Sequence, residues 1–235
     1  MKVVLLAGGR GVRLRPLTYT VPKPLLPVGE RPILEEIVER LKTFGFTDLI
    51  MAVGYRAELI ETYFRDGSQL GVTIQYAREE EPLGTAGPLG LVRAQLCANE
   101  PATGSVLVMN GDLLTDLDFR DLVEAHERNE ADLTMVTREF QLRHPYGVVQ
   151  LDGNRITGIV EKPAVTDTVN AGIYVFRWST IDVIPPGSPY EIPHLVNLTA
   201  EAGRRVLAYP FSGEWLAIDR MENLEEAARI VGVHE

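Results

Sequence analysis

Leu6-Ala-Gly-Gly-Arg-Gly-Val-Arg-Leu-Arg-Pro-Leu-Thr18, followed by Pro22-Lys-Pro-Leu-Leu-Pro27, decides how the rest of this 235-residue chain is read. The apolar run before it, Lys2 to Ala7, reads as a buried first strand, because it is short and ends at glycine. Residues 8–30 then form a long loop rich in proline and glycine, the kind of loop that compact domains reserve for active sites. Its glycines let backbone N–H groups come close to phosphate oxygens, and Arg10, Arg13, Arg15 and Lys23 supply fixed positive charge. That is the chemistry of a triphosphate site. The loop lacks the Gly-Lys-Ser/Thr ending of a P-loop. Leu14 stands where a dinucleotide fingerprint needs its third glycine, which disfavours a nicotinamide-dependent oxidoreductase.

Outward from the loop, Pro32 to Phe44 reads as a helix. Ile33, Leu34, Ile37, Val38 and Leu41 fall at helical spacing, and Gly45 supplies the stop. Strands are expected at Leu49–Val53, Val72–Tyr76 and Val106–Met109. Helices are expected at Ala57–Phe64 and about 86–98. This alternation argues for a doubly wound α/β sheet whose ligand sits at the carboxyl ends of its strands. Both Ala7-Gly8-Gly9 and Asn110-Gly-Asp112 lie at that edge. After a helix near 119–128 the pattern changes to strands at Leu133–Thr137, Gly147–Leu151, Ile156–Val160 and Gly172–Phe176, with a tight turn at Asp152-Gly153-Asn154. This half reads as a mixed, partly antiparallel continuation of the same sheet. Late helices are expected at about Ile192–Glu201 and Met221–Val231. The whole, 1–235, reads as a single domain with a nucleotide-binding half to about 118 and a second half from about 119.

A net charge of −10 argues against a nucleic-acid polymer as partner, which needs a basic face, yet leaves room for a small phosphorylated ligand at the locally basic loop. Cys97 is the only cysteine, so there is no disulfide framework, and a reducing, cytoplasmic compartment is expected. The run from Val3 to Ala7 is too short for a membrane span. The histidines, His126, His144, His194 and His234, have no zinc-like spacing and read as structural or exposed.

The stretch from Leu6 to Pro27 resembles the signature of the sugar-1-phosphate nucleotidyltransferases, the enzymes that make nucleoside-diphosphate sugars. The resemblance runs on through Glu81-Pro-Leu-Gly-Thr-Ala-Gly87, Asn110-Gly-Asp112, Glu161-Lys-Pro163, Asn170-Ala-Gly-Ile-Tyr174 and Trp215, covering nearly the whole chain. It implies a Rossmann-like mixed sheet of the nucleotide-diphospho-sugar transferase type, without the β-helix of longer relatives. It also implies Mg2+-dependent attack of a sugar 1-phosphate on the α-phosphorus of an NTP, as a monomer or homo-oligomer. Such a reaction needs charge neutralisation and positioning rather than a protein nucleophile.

Carried onto this sequence, the resemblance gives Arg13 the departing pyrophosphate and Lys23 the α-phosphate. It gives the nucleotide to Leu6, Ala7, Gly8, Gly9 and Gly11 with Glu81, Gly84 and Thr85. Lys162 resembles the lysine on the sugar-linked phosphate and Glu161 the acceptor of sugar hydroxyls, with Gly147, Asn170 and Gly172 as the floor of the sugar pocket. Asp112, just past a buried strand, suits magnesium as a hard oxygen donor, although an Asx-turn or cap would also place an aspartate there. Many relatives carry a second carboxylate two residues after the tryptophan, where this chain has Ala217. Asp219 lies two residues further on. In a strand it faces the same side as residue 217, so it either supplies the second metal ligand or caps the helix that follows. A carboxylate near Glu80-Glu81 complements the N1–H and N2–H donors of guanine, so GTP is the preferred nucleotide, with UTP, CTP and dTTP as alternatives. The absent carboxylate at Ala217 keeps open a non-catalytic nucleotide-sugar-binding subunit.

Overall fold

Val3, Val4 and Leu5 are fully buried, as a run without alternation requires: the strand has neighbours on both edges and cover on both faces. The computed structural model describes residues 1–230, so the last residue of the helix expected at Met221–Val231 lies outside the described residues. The chain runs β1 (Lys2–Ala7), a small ladder of β2 (Pro27–Val28) with β3 (Arg31–Pro32), α1 (Ile33–Thr43), β4 (Asp48–Val53), α2 (Ala57–Phe64), β5 (Thr73–Arg78), α3 (Gly87–Leu96) and β6 (Ser105–Asn110). Then follow β7 (Leu113–Thr115), α4 (Phe119–Arg128), β8 (Leu133–Arg143), β9 (Val148–Asp152), β10 (Arg155–Val160), β11 (Ala164–Arg177), α5 (Trp178–Ile181), α6 (Ile192–Glu201), β12 (Val206–Pro210), β13 (Trp215–Ala217) and α7 (Met221–Ile230).

Seven strands form one sheet in the order β12-β8-β11-β6-β1-β4-β5. Every pairing is parallel except those made by β11. From β1 the chain winds outward to β4 and β5, then returns to place β6 on the other side of β1. That reversal opens a crevice at the carboxyl ends of β1 and β6, where Ala7–Gly9 and Asn110–Asp112 meet. Gly111 N donates to Leu6 O at 2.8 Å and ties the two ends together.

The sheet has a core on each face. Val3 and Leu5 point into one, packed by α1, α2 and α4, whereas Val4 points into the other with α3, α5 and α6. In α1 the five apolar positions read from the sequence are all buried, each contributing roughly 1.5–3 kcal/mol by leaving water. Asp118 caps α4 by accepting from Arg120 N and Asp121 N.

The second half departs from the sequence reading in more than one respect: β8 and β11 run longer than the strands expected at Leu133–Thr137 and Gly172–Phe176, and one pair of strands lies outside the sheet. β8, β11 and β12 do continue the sheet, but β9 and β10 pair only with each other. The reason is geometric. β8 and β11 pair with one another out to Arg143 opposite Ala164, so the intervening chain leaves from the tip of that ribbon and has no length to return alongside it. The outer halves of β8 and β11 and the β9–β10 hairpin therefore project as an arm. The edge strand β12 and the short β7 have no counterpart in the sequence reading; β13 does, but it ends at Ala217, so Asp219 lies beyond the strand whose pleat is expected to aim it. Among the described residues, no helix is long and apolar enough to cross a membrane.

His126 on α4 is fully buried, with Nδ1 at 2.9 Å from Thr134 Oγ1 and no partner for Nε2. Burial pushes its pKa down from 6.5 to about 4. The unfolded chain therefore takes up a proton below about pH 6.5 that the folded chain refuses until about pH 4. Folding stability is complete above that window and falls as the pH drops through it, by on the order of 3 kcal/mol across the whole range. Urea denaturation at pH 7.5 and 5 should show this loss in the native chain and a clearly smaller one in His126→Gln; equal losses would show that His126 is not its source.

Candidate active site

The glycine loop is held shut by its own residues. Gly11 has φ of 57°, in the left-handed region, and a Cβ there would sit 2.9 Å from Thr18 Cγ2 and 3.0 Å from Lys23 Cβ. Thr18 Oγ1 donates to Gly11 O at 2.8 Å, and Tyr55 Oη, from the end of β4, donates to Thr18 O at 3.0 Å. This fold-back drives Lys23 inward until it is only 9% exposed. A lysine so deep needs partners. Its ammonium donates to Asp112 Oδ2, past the end of β6, and to Asp219 Oδ1 at 2.9 Å. Asp219 Oδ2 accepts from Arg13 Nη1 at 3.2 Å. Burial works to raise the Asp219 carboxyl, but the hydrogen bond and charge of Lys23, helped by Arg13, outweigh it and leave the group below the usual carboxylate value. Asp219 thus spends its carboxylate on two cations of the glycine loop, while Ala217 ends β13 opposite Leu113.

Beside this cluster lies a cavity of about 340 Å3. Leu6, Ala7, Gly8 and Gly9 line it from β1; Asn110 and Asp112 from β6; Glu79, Gly84 and Thr85 from the turn after β5. An adjoining hollow of about 320 Å3 shares Gly8, Gly9 and Glu79 and adds Arg10, Tyr55 and Glu81. The glutamate that lines the main cavity is therefore Glu79, two residues before the one singled out from the sequence. Its Oε2 accepts from Leu83 N at 3.1 Å, and its Oε1 occupies the space that a Cβ on residue 8 would need. Burial raises its pKa, and the Leu83 hydrogen bond opposes this. The sequence reading chose Glu80-Glu81; the exit direction of β5 brings Glu79 into the main cavity and leaves Glu81 in the adjoining hollow.

The turn that carries Gly84 and Thr85 is clamped from the second half of the chain. Glu191 Oε2 accepts from Thr85 Oγ1 at 2.6 Å and from Thr85 N at 3.2 Å. Thr85 Oγ1 also accepts from Ile192 N at 2.9 Å, and Tyr190 O accepts from Ala86 N and Gly87 N. Glu191 carried no sequence signal beyond preceding a helix.

The residues assigned to the sugar split into two groups. Gly172 lies against Asn110, and Asn170 Oδ1 accepts from Gly172 N at 2.9 Å, at a register shift in β11 next to the crevice. Trp215 Nε1 donates to Ala171 O at 2.8 Å, with Arg138 stacked on its ring at 4.7 Å. Gly147 and Glu161 are neighbours, but they stand on the projecting arm with Lys162, outside the cavity lining. Lys162 is held at φ of 43°, a backbone region costly for a residue with a Cβ. Arg13 is largely exposed and reaches the cluster only through Asp219.

A central mixed sheet with its crevice at the switch point is a nucleotide-binding architecture of the doubly wound class. The nucleotidyl transferase family model matches residues 2–232, and the chain belongs to that family. A mannose-1-phosphate guanyltransferase of Yarrowia lipolytica is 41% identical over 223 residues, covering 93% of this chain and 60% of that protein. A UTP–glucose-1-phosphate uridylyltransferase of Synechocystis is 35% identical over 246 residues, covering 97% of this chain and 63% of that protein. The chain therefore spans about three-fifths of the length of these relatives. The crystal structure of a candidate glucose-1-phosphate thymidylyltransferase from Bacillus anthracis, in complex with a sucrose, superposes with a TM-score of 0.79 at 25% identity, covering 100% of this chain and 96% of that one.

The Glu191 clamp yields a specific expectation. Glu191→Ala frees the Thr85 turn only, so hydrogen exchange of the Thr85 and Ala86 amides should quicken about tenfold or more while that of the Ala171 and Gly172 amides stays within about twofold. Equal quickening at both would point to general loosening of the fold.

Proposed function

We propose that this chain transfers a nucleotidyl group from an NTP, GTP in first place, to a sugar 1-phosphate, giving a nucleoside-diphosphate sugar and pyrophosphate. The convergence of Asp112 and Asp219 on the buried Lys23, beside the cavity at the switch point, carries this reading. A sugar-phosphate oxygen attacks the α-phosphorus, and the bond from that phosphorus to the oxygen bridging to the β-phosphate breaks. Both reactants are anions, so neutralisation and alignment are the main tasks. Asp112 and Asp219 would hold magnesium. Their hard oxygens already gather round one positive charge, which supports the fit. When bound, the ion supplies further neutralisation at the phosphate oxygens. Lys23 takes the α-phosphate, Arg13 the departing pyrophosphate, and Glu161 and Lys162 the sugar phosphate from the arm. Asn170 and Gly172 floor the sugar side. The carboxylate of Asp219 also answers the vacancy at Ala217, the observation that favoured a non-catalytic subunit. A cytoplasmic setting belongs to the same proposal; it rests on the lone cysteine, Cys97, which is buried with its thiol pushed up to about 11.

Glu79 supports the choice of guanine. A carboxylate accepts from two adjacent N–H donors, which guanine presents and uracil or thymine does not. A matrix of four NTPs against a panel of sugar 1-phosphates, read by pyrophosphate release, should give GTP the highest kcat/KM. Glu79→Gln should then move preference toward UTP or dTTP by about tenfold or more. Absence of pyrophosphate with every pair would sink the activity, and a base profile unmoved by Glu79→Gln would sink the base assignment alone.

Lys23 stands on the two carboxylates that would hold the ion, so it must leave them to reach a phosphate. Lys23→Met should therefore bind Mn2+ about tenfold more tightly than the native chain when no nucleotide is present, by electron paramagnetic resonance titration, while turnover falls about 10²–10³. Unchanged or weaker Mn2+ binding would contradict this exchange.

A further inference from the structure

Arg138 is half-buried where β8 leaves the sheet, one residue past the last that pairs with β12. Its guanidinium stacks on the Trp215 ring at 4.7 Å, and its Nη1 donates to Trp215 O at 3.1 Å. Its Nε is buried without a partner, and no carboxylate of the described residues pairs with it. A buried N–H left unpaired is destabilising, and an apolar side chain of that length would fill the space without it. What the arginine does lies one contact further on. Between Asn170 and Tyr174 the register of β11 shifts, which leaves Ala171 without a ladder partner on either side. Ala171 is fully buried, so its freed carbonyl needs a donor, and Trp215 Nε1 supplies it at 2.8 Å. The corner continues through Gly172, at φ of 74°, where a Cβ would meet Asn110 Nδ2 at 2.7 Å.

We propose that Arg138 is a positioning residue for the sugar side of the site, acting through Trp215 to fix the Asn170–Gly172 corner. This rests on the activity proposed above and adds to it a residue that lies in none of the motifs. Arg138 holds Trp215 by two contacts at once, across the ring and at the main-chain carbonyl, so the ring cannot turn without losing one of them. The indole N–H is thereby aimed at Ala171 O, and the corner is ordered before a substrate arrives. The carboxylates are held separately. β13 pairs with β7 from Trp215 to Ala217, and Ile218 N donates to Asp112 O at 3.0 Å, so Asp112 and Asp219 keep their places without the arginine. Loss of Arg138 is therefore felt at the sugar, and not at the nucleotide or the ion. That asymmetry separates positioning from a general loosening of the fold.

Two substitutions test this. Arg138→Met removes the charge, the donors and the unpaired N–H, and Trp215→Phe keeps a ring but removes its N–H. The chain has two tryptophans, so nuclear magnetic resonance reads the indole proton of Trp215 beside that of Trp178. In Arg138→Met the exchange of the Trp215 indole proton should quicken about tenfold or more, with that of Trp178 within about twofold and the melting temperature within about 3 °C of native. In pyrophosphate-release kinetics KM for the sugar phosphate should rise about tenfold in either variant, while KM for the nucleotide and the affinity for Mn2+ stay within about twofold. Because one residue acts through the other, the double variant should stay within about twofold of the poorer single one. Arg138→Lys, which keeps a cation on the ring without the planar fork, serves if Arg138→Met does not fold, with both effects about threefold or more. The proposal fails if the Trp215 indole exchanges as in the native chain, if KM rises equally for both substrates, or if the two single effects multiply. A native chain inactive with every substrate pair would defeat the activity alone; the indole exchange then decides for or against the contact.

Discussion

An ammonium group removed from water and held between two carboxylates is the constraint on which the site depends. Lys23 comes from the amino-terminal loop, Asp112 from the end of β6 and Asp219 from the carboxyl-terminal segment after β13. A buried lysine without partners would cost several kcal/mol, so all three segments must close together for any of them to be stable there. The same contact holds both carboxylates facing one point and keeps the Asp219 carboxyl below its usual value, an arrangement that suits a divalent ion. Structural neutralisation and proposed chemistry thus share one set of atoms.

The sheet supplies the place for that contact. β1 and β6 end side by side because the winding reverses between them, and the antiparallel β11 then brings its register shift to the same edge. One side of the crevice receives the turn after β5, the other the Asn170–Gly172 corner. The clamp from Glu191 onto Thr85 links the two halves across the crevice, so the turn after β5 is positioned by residues that arrive more than one hundred positions later. The arm extends this logic outward. It carries Glu161 and Lys162 on a ribbon whose apolar face finds no cover within the described chain.

Much of this was legible before any coordinates. The unbroken apolar run of β1, the helical spacing of α1 and the glycine stops are local signals, and the elements formed within one or two residues of where they were read. The strands at 148–152 and 155–160 were also read as strands, but their place was not, because pairing partners are not written in a period-two pattern. The strand β12 escaped notice since five residues ending in proline at a sheet edge carry little periodicity. The sequence reading chose Glu80-Glu81 over Glu79, because the direction in which β5 ends is not a local signal, and Glu191 looked like an ordinary residue before a helix.

By itself the sequence determined the glycine–cation loop, the α/β alternation and the meeting of two motifs at one sheet edge, since these follow from steric and hydrophobic rules acting over a few residues. Only the tertiary structure decided that Asp219 reaches Lys23 across a separation of 196 residues, that Glu79 rather than Glu81 enters the cavity, and that the arm stands free. Those outcomes turn on strand register, exit angle and which face of a ribbon meets which neighbour. They are set by contacts between distant segments, and no local pattern encodes them.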